Sequence, residues 1–425
     1  MSLVLRIAAL APAALVLLSA PTVLAAPAAS AGAQTDAAAS AATRAEFPIE
    51  DPSGVALDGF FAALRRTENG DAGAMTRVLH LGDSSIGLDG LPHALRRRMQ
   101  TRFGDGGAGF VFLGRKSVNY NNRAVHLTSQ NWSVCYIAYG CDKTGHYGYG
   151  GHVFRAEPGA RTQIKTRTGG QHGRTASRIE LWYATDPRGG TLKLLVDGEV
   201  HLVDTKGDTL ADKWHEVRVE PGPHRVDIRS TGNGRPRAYG VVLETDGPGV
   251  VWDTVSMIGA FTKRLLKFDE THVAAQVAHR RPDLLVFGFG GNDLRRVAAA
   301  TVDHETLVRE TRDVLQRVRK GKPGLACLVV SVVDHARAGP FAIKPQHNVA
   351  MVKAQREAAF AEGCAFFDAV AMMGGPGGVR AWRKTSPPLS DPDLQHLSMF
   401  GRDKMAGFIF DALMVRYAAF KARKK

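Results

Sequence analysis

Arg77-Val78-Leu79-His80-Leu81-Gly82-Asp83-Ser84 starts as an apolar run and breaks at a glycine. Such a run reads as a strand that passes straight into Gly-Asp-Ser, and an apolar-periodic helix is expected over 91–101. A serine just past a strand and before a helix exposes its hydroxyl at the carboxyl edge of a sheet, where sites of open α/β sheets lie. Upstream, Val55, Leu57, Phe60, Phe61 and Leu64 carry a helical repeat over 54–66. Downstream, strands are expected at Val255-Ser256-Met257-Ile258-Gly259, at Leu284-Leu285-Val286-Phe287-Gly288-Phe289, over 327–333 and at Ala365-Phe366-Phe367. Helices over 263–280, 304–320, 346–362 and 402–420 alternate with them, which predicts a parallel sheet covered on both faces.

Between about 120 and 245 the texture changes. Short alternating runs such as Arg178-Ile179-Glu180-Leu181-Trp182-Tyr183 and His224-Arg225-Val226-Asp227-Ile228 are separated by turns such as Asp186-Pro187-Arg188-Gly189-Gly190. This pattern predicts an all-β sandwich inserted into the α/β domain. The expected organisation is therefore an α/β domain split into 46–119 and 246–425 by an insert at 120–245.

The chain opens with Arg6, an apolar stretch through Leu17-Leu18, and the small-residue site around Val23-Leu24-Ala25, which reads as a signal peptide over 1–25. The stretch is too short and too proline-broken for a spanning helix. No cysteine follows the cleavage region to carry a lipid, so no stable membrane anchor is expected. Residues 26–45 are rich in Ala, Ser and Pro and read as a disordered leader. The protein is thus expected to be exported, periplasmic or secreted. Net charge is +14, with 55 basic against 41 acidic residues, which suits a polyanionic surrounding. Nucleic acid is not the expected partner, because the basic residues are scattered, no recognition motif is present and the leader directs the chain out of the cytoplasm. In an oxidising compartment Cys135 and Cys141 are expected to form a local disulfide. Cys327 and Cys364 read either as buried free thiols or as a second pair.

Acyl-ester chemistry needs an activated hydroxyl, an imidazole, a carboxylate that orients it and donors for the developing oxyanion. Gly82-Asp83-Ser84, Gly290-Gly291-Asn292-Asp293 and Asp393-Leu394-Gln395-His396 supply all of these, in that order, and read together as a serine esterase. Ser84 taken alone reads equally as a helix cap, and Asn292 as an N-cap. Asp83 reads as a structural acceptor near the site. His80, His93 and His335 read as core or surface histidines. The glycines of 104–109 lack the Lys-Ser/Thr of a phosphate cradle and read as a close-packed loop beside the active site. Tyr136, Tyr139, Tyr147, Tyr149 and Trp182 read as sandwich core or as sugar-stacking platforms.

These blocks, together with Phe103-Gly104-Asp105-Gly106-Gly107-Ala108-Gly109, resemble the SGNH (GDSL-like) hydrolases, and within them the peptidoglycan O-acetylesterases that carry a carbohydrate-binding-module-like β-sandwich. The resemblance implies a flavodoxin-like parallel-sheet domain, with Ser84 as nucleophile, His396 as general base and Asp393 orienting it. It implies an oxyanion hole of the Ser84 N–H, the Gly259 N–H and the Asn292 amide, and neither metal nor cofactor. Ser85 stands where relatives often carry histidine. The implied partner is an O-acetylated glycan, peptidoglycan first. A polysaccharide O-acetyltransferase using the same triad, or a glycan-binding protein with an idle triad, stays open.

Overall fold

Along Met75–Gly82 (β1), Leu79 and Leu81 enter one apolar core and Val78 the other. A strand buried on both faces needs paired neighbours on both edges and helices above and below. The computed structural model supplies both. It describes residues 45–115, 120–339 and 341–423, so the signal peptide and all but the last residue of the leader lie outside the described residues.

Helix α1 (Asp58–Glu68) precedes β1, and a 3₁₀ segment, Ser84–Asp89, leads from β1 into α2 (Gly90–Phe103). A run of strands follows: β2 (Gly109–Phe112), β3 (Val125–Tyr136), β4 (His152–Thr166), β5 (Ala176–Thr185) and β6 (Thr191–Val196). It continues with β7 (Glu199–Asp204), β8 (Ala211–Gly222), β9 (Arg225–Ser230) and β10 (Arg237–Glu244). The chain returns through β11 (Gly249–Ser256), α3 (Glu270–Arg280), β12 (Leu284–Gly288), α4 (Leu294–Ala298) and α5 (His304–Arg319). It closes with β13 (Ala326–Val330), α6 (Pro345–Ala361), β14 (Ala365–Phe367), the short α7 (Ala369–Met372) and α8 (Gly378–Arg383), and α9 (Met399–Arg423). The helix expected over 263–280 divides, with Thr262–Lys267 forming a 3₁₀ segment before α3.

The first sheet is parallel, in the order β11-β1-β12-β13-β14. Counting only its own strands, this is the flavodoxin-like order 2-1-3-4-5, whose switch point lies between β1 and β12. The second sheet has nine strands, with antiparallel pairing throughout. Strand β4 pairs with β10 near its start and with β9 near its end, so it joins two layers of the all-β insert.

Two cores sandwich the parallel sheet. Val78, Trp252, Leu284 and Val286 pack with Phe60, Leu95 and Ile409 of α1, α2 and α9. On the other face Leu81, Phe287 and Val329 pack with Val273, Leu315 and Met351, and this core runs unbroken into the insert through Phe110, Phe112 and Trp182. The insert therefore shares its interior with one half of the α/β domain. Of the aromatic residues considered as sugar platforms, Tyr136, Tyr147, Tyr149 and Trp182 are buried in this core, whereas Tyr139 is 71 % exposed.

Buried charge ties the two halves at the same seam. Arg280 of α3 grips Asp253 of β11 through Nε (2.7 Å) and Nη2 (2.9 Å) and donates through Nη1 to Glu244 of β10. Glu244 also accepts from Arg77 and Arg178, and Asp253 from the Phe110 N–H and Tyr149 Oη. Buried charges are tolerated when each is paired and its remaining valences are used. Burial alone would raise the Glu244 carboxyl, but Arg280, Arg77 and Arg178 outweigh it and hold the group far below the usual range.

The glycine loop is close-packed but is not beside the nucleophile. A Cβ at Gly104 or Gly106 would strike Pro248 or Val250, at the amino end of β11, whereas Ser84 follows the carboxyl end of neighbouring β1. About 20 Å of strand separates the two ends at the usual rise per residue. Disulfides join Cys135 to Cys141 and Cys327 to Cys364, so of the two readings left open for the second pair the bonded one holds.

Arg280→Ala should cost about 3–5 kcal/mol in urea unfolding, because it strands two buried carboxylates. Since the folded state depresses the Glu244 carboxyl, its contribution is present above the ordinary carboxylate range and is lost as pH falls through the lower folded value. Wild-type urea midpoints should therefore fall below about pH 4.5, and Glu244→Gln should be weaker at pH 7 with a flatter acid limb.

Candidate active site

β1 and β12 end together, with Gly82 opposite Gly288. Gly82 admits no side chain, since a Cβ there would lie 2.8 Å from the Gly288 carbonyl. The Asp83 carboxylate then joins the two turns: Oδ1 accepts from the Ser85 N–H (2.9 Å) and Oδ2 from the Gly291 N–H (3.1 Å). Asp83 is fully buried, and that burial raises its carboxyl above the usual range despite the bonds it accepts. Ser84 is the first residue of the 3₁₀ segment, so its N–H has no acceptor inside that turn.

A third turn follows β11. The Met257 N–H donates to the Gly82 carbonyl (2.7 Å), and Thr262 donates through N–H (2.8 Å) and Oγ1 (2.9 Å) to buried Asp293. Asn292 Nδ2 donates to the Ala260 carbonyl (3.1 Å), which occupies one of its two amide hydrogens. Gly259 lies in this turn at φ +76°, faces open space, and its N–H meets no acceptor among the described residues. The N-cap position of α4 belongs to Asp293 instead of Asn292.

The imidazole arrives from a tight turn before α9. Asp393 Oδ1 accepts from the Gln395 and His396 N–H groups (2.9 and 3.0 Å), with Leu394 at φ +54°. Asp393 Oδ2 lies 2.6 Å from His396 Nδ1, and His396 Nε2 lies 2.9 Å from Ser84 Oγ. A carboxylate on Nδ1 selects the tautomer protonated there, leaving Nε2 as acceptor for the serine hydroxyl. Burial pushes the Asp393 carboxyl up, but His396 and the two backbone N–H groups prevail and hold it below its usual value. The Ala336 N–H, on the loop after β13, donates to the Leu394 carbonyl and ties this turn to the sheet edge.

Asp83, Ser84, Asn292 and His396 line one cavity of about 40 Å³, with Asp393 behind His396; Gly259 does not line it. His335, expected as a core or surface histidine, does line it. Its Nδ1 meets the Val333 carbonyl at 2.8 Å, and its backbone is clamped by Asn348 through both N–H and C=O. Burial pushes this imidazole down to about 4, so it is neutral and its Nε2 is an acceptor. The legible signal was position, since His335 follows β13 at the same edge as Ser84 and Asn292.

Away from this cavity, His146, Asp212 and His272 bring possible metal-ligand atoms within 4.8 Å of one another. His272 Nδ1 is already bonded to Asp212 (2.7 Å), and the two imidazoles stack at 4.4 Å with only 8° between planes. In-plane lone pairs of stacked rings do not converge on one ion, so this group does not fit a metal centre.

Among solved structures, one described as "Peptidoglycan O-acetylesterase in action, 5 min" overlays with a TM-score of 0.72 at 20 % identity, covering 87 % of this chain and 99 % of that one. A lipase/acylhydrolase from Enterococcus faecalis (TM-score 0.31, 17 % identity, 39 % of this chain and 76 % of that one) and a family two carbohydrate esterase from Cellvibrio japonicus (TM-score 0.26, 12 % identity, 69 % and 99 %) are more distant. No family model and no curated protein matches the chain. Asp83→Ala should lower stability by about 1–3 kcal/mol by stranding the half-buried Ser85 and Gly291 N–H donors, measured as a shift in urea midpoint. The overlay with the first structure over nearly its whole length shows that this chain shares that structure's fold, a flavodoxin-like α/β domain carrying an all-β insert.

Proposed function

We propose that the protein is a serine esterase that removes O-acetyl groups from a cell-envelope glycan, with O-acetylated peptidoglycan as the preferred substrate. The carrying observation is the continuous relay Ser84 Oγ–His396 Nε2–His396 Nδ1–Asp393 Oδ2, at 2.9 and 2.6 Å. His396 takes the hydroxyl proton as Ser84 Oγ bonds to the acetyl carbon, and it returns that proton to the departing sugar oxygen. A water then gives its proton to His396 while its oxygen attacks the acetyl-Ser84 carbonyl, releasing acetate and restoring Ser84. The Ser84 N–H and the second Asn292 amide hydrogen are the donors at the oxyanion, joined by the Gly259 N–H from the neighbouring turn. Asp393 holds the imidazole and stabilises its protonated form.

Compartment and charge support the substrate class: the N-terminal reading is of an exported chain, and its +14 charge suits an acidic polymer. The name of the structure with which the fold is shared supports peptidoglycan. Among the described residues no helix is long and apolar enough to cross a membrane.

Acetate release from O-acetylated peptidoglycan should fall by about a thousandfold or more in Ser84→Ala and in His396→Ala, with a smaller loss in Asp393→Asn. Equal activity of wild type and all three variants would remove the triad from consideration. Transfer of acetyl to an added oligosaccharide, in preference to water, would convert the reading to an acetyltransferase using the same residues.

A further inference from the structure

Along α2 the surface opens into a second, larger recess of about 460 Å³, built by both halves of the molecule. Helix α2 contributes His93, Arg97 and Thr101, the connection into β3 contributes Arg123, and the β4–β5 loop contributes Arg167 and His172. No carboxylate lines it. Asp89 lies beneath, but its oxygens are taken by Arg96 (2.5 Å), the Arg123 N–H (2.7 Å) and Thr254 Oγ1 (2.6 Å). Asp403 accepts from Arg97 and Arg98.

Arg123 and Arg167 have no acidic partner among the described residues, in a protein where most buried and half-buried guanidinium groups do. Arg167 is positioned by Nε, which donates to the Arg123 carbonyl (3.0 Å), and Arg123 Nη1 lies 4.0 Å from Met399 Sδ, three residues beyond His396. His93 Nδ1 accepts from Arg96 (3.0 Å), which leaves Nε2 as its N–H donor; burial and Arg96 push this imidazole down to about 4, so it stays neutral. The loop is anchored to the catalytic half by Thr101 Oγ1 with His172 Nε2 (2.9 Å) and by the Gly173 N–H on Asp105 (2.7 Å). A neighbouring recess of about 440 Å³ shares Arg167, adds Arg174, and contains one carboxylate, Asp105, whose oxygens are occupied by the Gly107 and Gly173 N–H groups.

Cationic donors converge here without a carboxylate, and Arg123 links them to Met399, three residues beyond His396. We propose that this recess is an anion subsite that holds carboxylate groups carried by the acetylated polymer, with Arg123 and Arg167 as its principal contacts, so that the strand lies across the insert and the catalytic half while an acetyl ester reaches Ser84. The assignment rests on the esterase reading for its substrate, but its binding step can be measured without turnover. Planar, forked guanidinium groups match carboxylate geometry, and their attraction at this exposed site is screened by salt.

The test compares soluble O-acetylated peptidoglycan fragments with the same fragments after carbodiimide amidation of their carboxyl groups, with an aryl acetate as reference ester. The ratio of kcat/KM on the native fragments to that on the aryl acetate should fall about tenfold in the Arg123→Gln/Arg167→Gln double variant, a loss on the scale of an ion-pair contact pair. Wild type should lose a similar factor on amidation, and the double variant should not distinguish the two fragments. Arg123→Lys/Arg167→Lys should recover part of the preference, which separates charge from folding. In parallel, Ser84→Ala protein should cosediment with acetyl-free peptidoglycan, less so after amidation or in the double-Gln background. Indifference of wild type to amidation, or an undiminished preference in the double-Gln variant, would overturn the subsite while leaving Ser84-dependent acetate release intact. Sensitivity to removal of phosphodiesters with carboxyl groups unaltered would overturn the carboxylate assignment. Absence of acetate release with intact, amidation-sensitive cosedimentation would overturn the esterase reading and keep the subsite.

Discussion

One buried carboxylate fixes the geometry on which the candidate chemistry depends. Asp83 accepts from the turn after β1 and from the turn after β12, and thereby sets Ser84 and Asn292 against each other at the switch point of the parallel sheet. A glycine at Gly82 is required for the strands to approach. The third turn, after β11, is locked on through Met257 and Asp293. Preorganisation of this kind matters because a donor aimed at a developing oxyanion acts without reorganising at the moment of reaction.

The all-β insert is structurally part of the same body. Its core is continuous with one face of the parallel sheet, and Arg280 joins β11 and β10 through Asp253 and Glu244. This seam runs from Glu244, ahead of β11, to Asp253, opposite Leu79 in the middle of the sheet, while the basic recess lies at the contact between α2 and the β4–β5 loop. The insert therefore has two separate relations to the α/β half: a buried ionic union that sets its position, and a cationic recess shared with α2.

The parallel sheet was legible because each of its strands is a compact apolar run bounded by glycine or charge, as at Leu284-Leu285-Val286-Phe287. The blocks that meet at the candidate site stand out because each falls just past such a run or in a short polar turn. Other features depend on pairings between distant residues, which no local pattern records. The glycine loop at 104–109 has a composition that predicts close packing, but its position at the opposite sheet end follows only from its contact with Val250. His335 looked like an ordinary histidine because its role comes from the end of β13 and from the Asn348 clamp. The buried tyrosines Tyr147 and Tyr149 looked like possible platforms because local sequence cannot tell which side of a Gly-rich loop is covered.

The central claim is that Ser84, activated by His396, forms the covalent acyl intermediate. Covalent labelling tests it most directly: the protein is treated with a sulfonyl fluoride, the intact mass is recorded, the site is mapped by peptide sequencing, and residual aryl acetate hydrolysis is followed in the same sample. The account predicts a single adduct on Ser84 that rises in step with loss of hydrolysis and forms much more slowly in His396→Ala. Hydrolysis that persists with Ser84 fully labelled, or that is lost with the label on another residue, would contradict it.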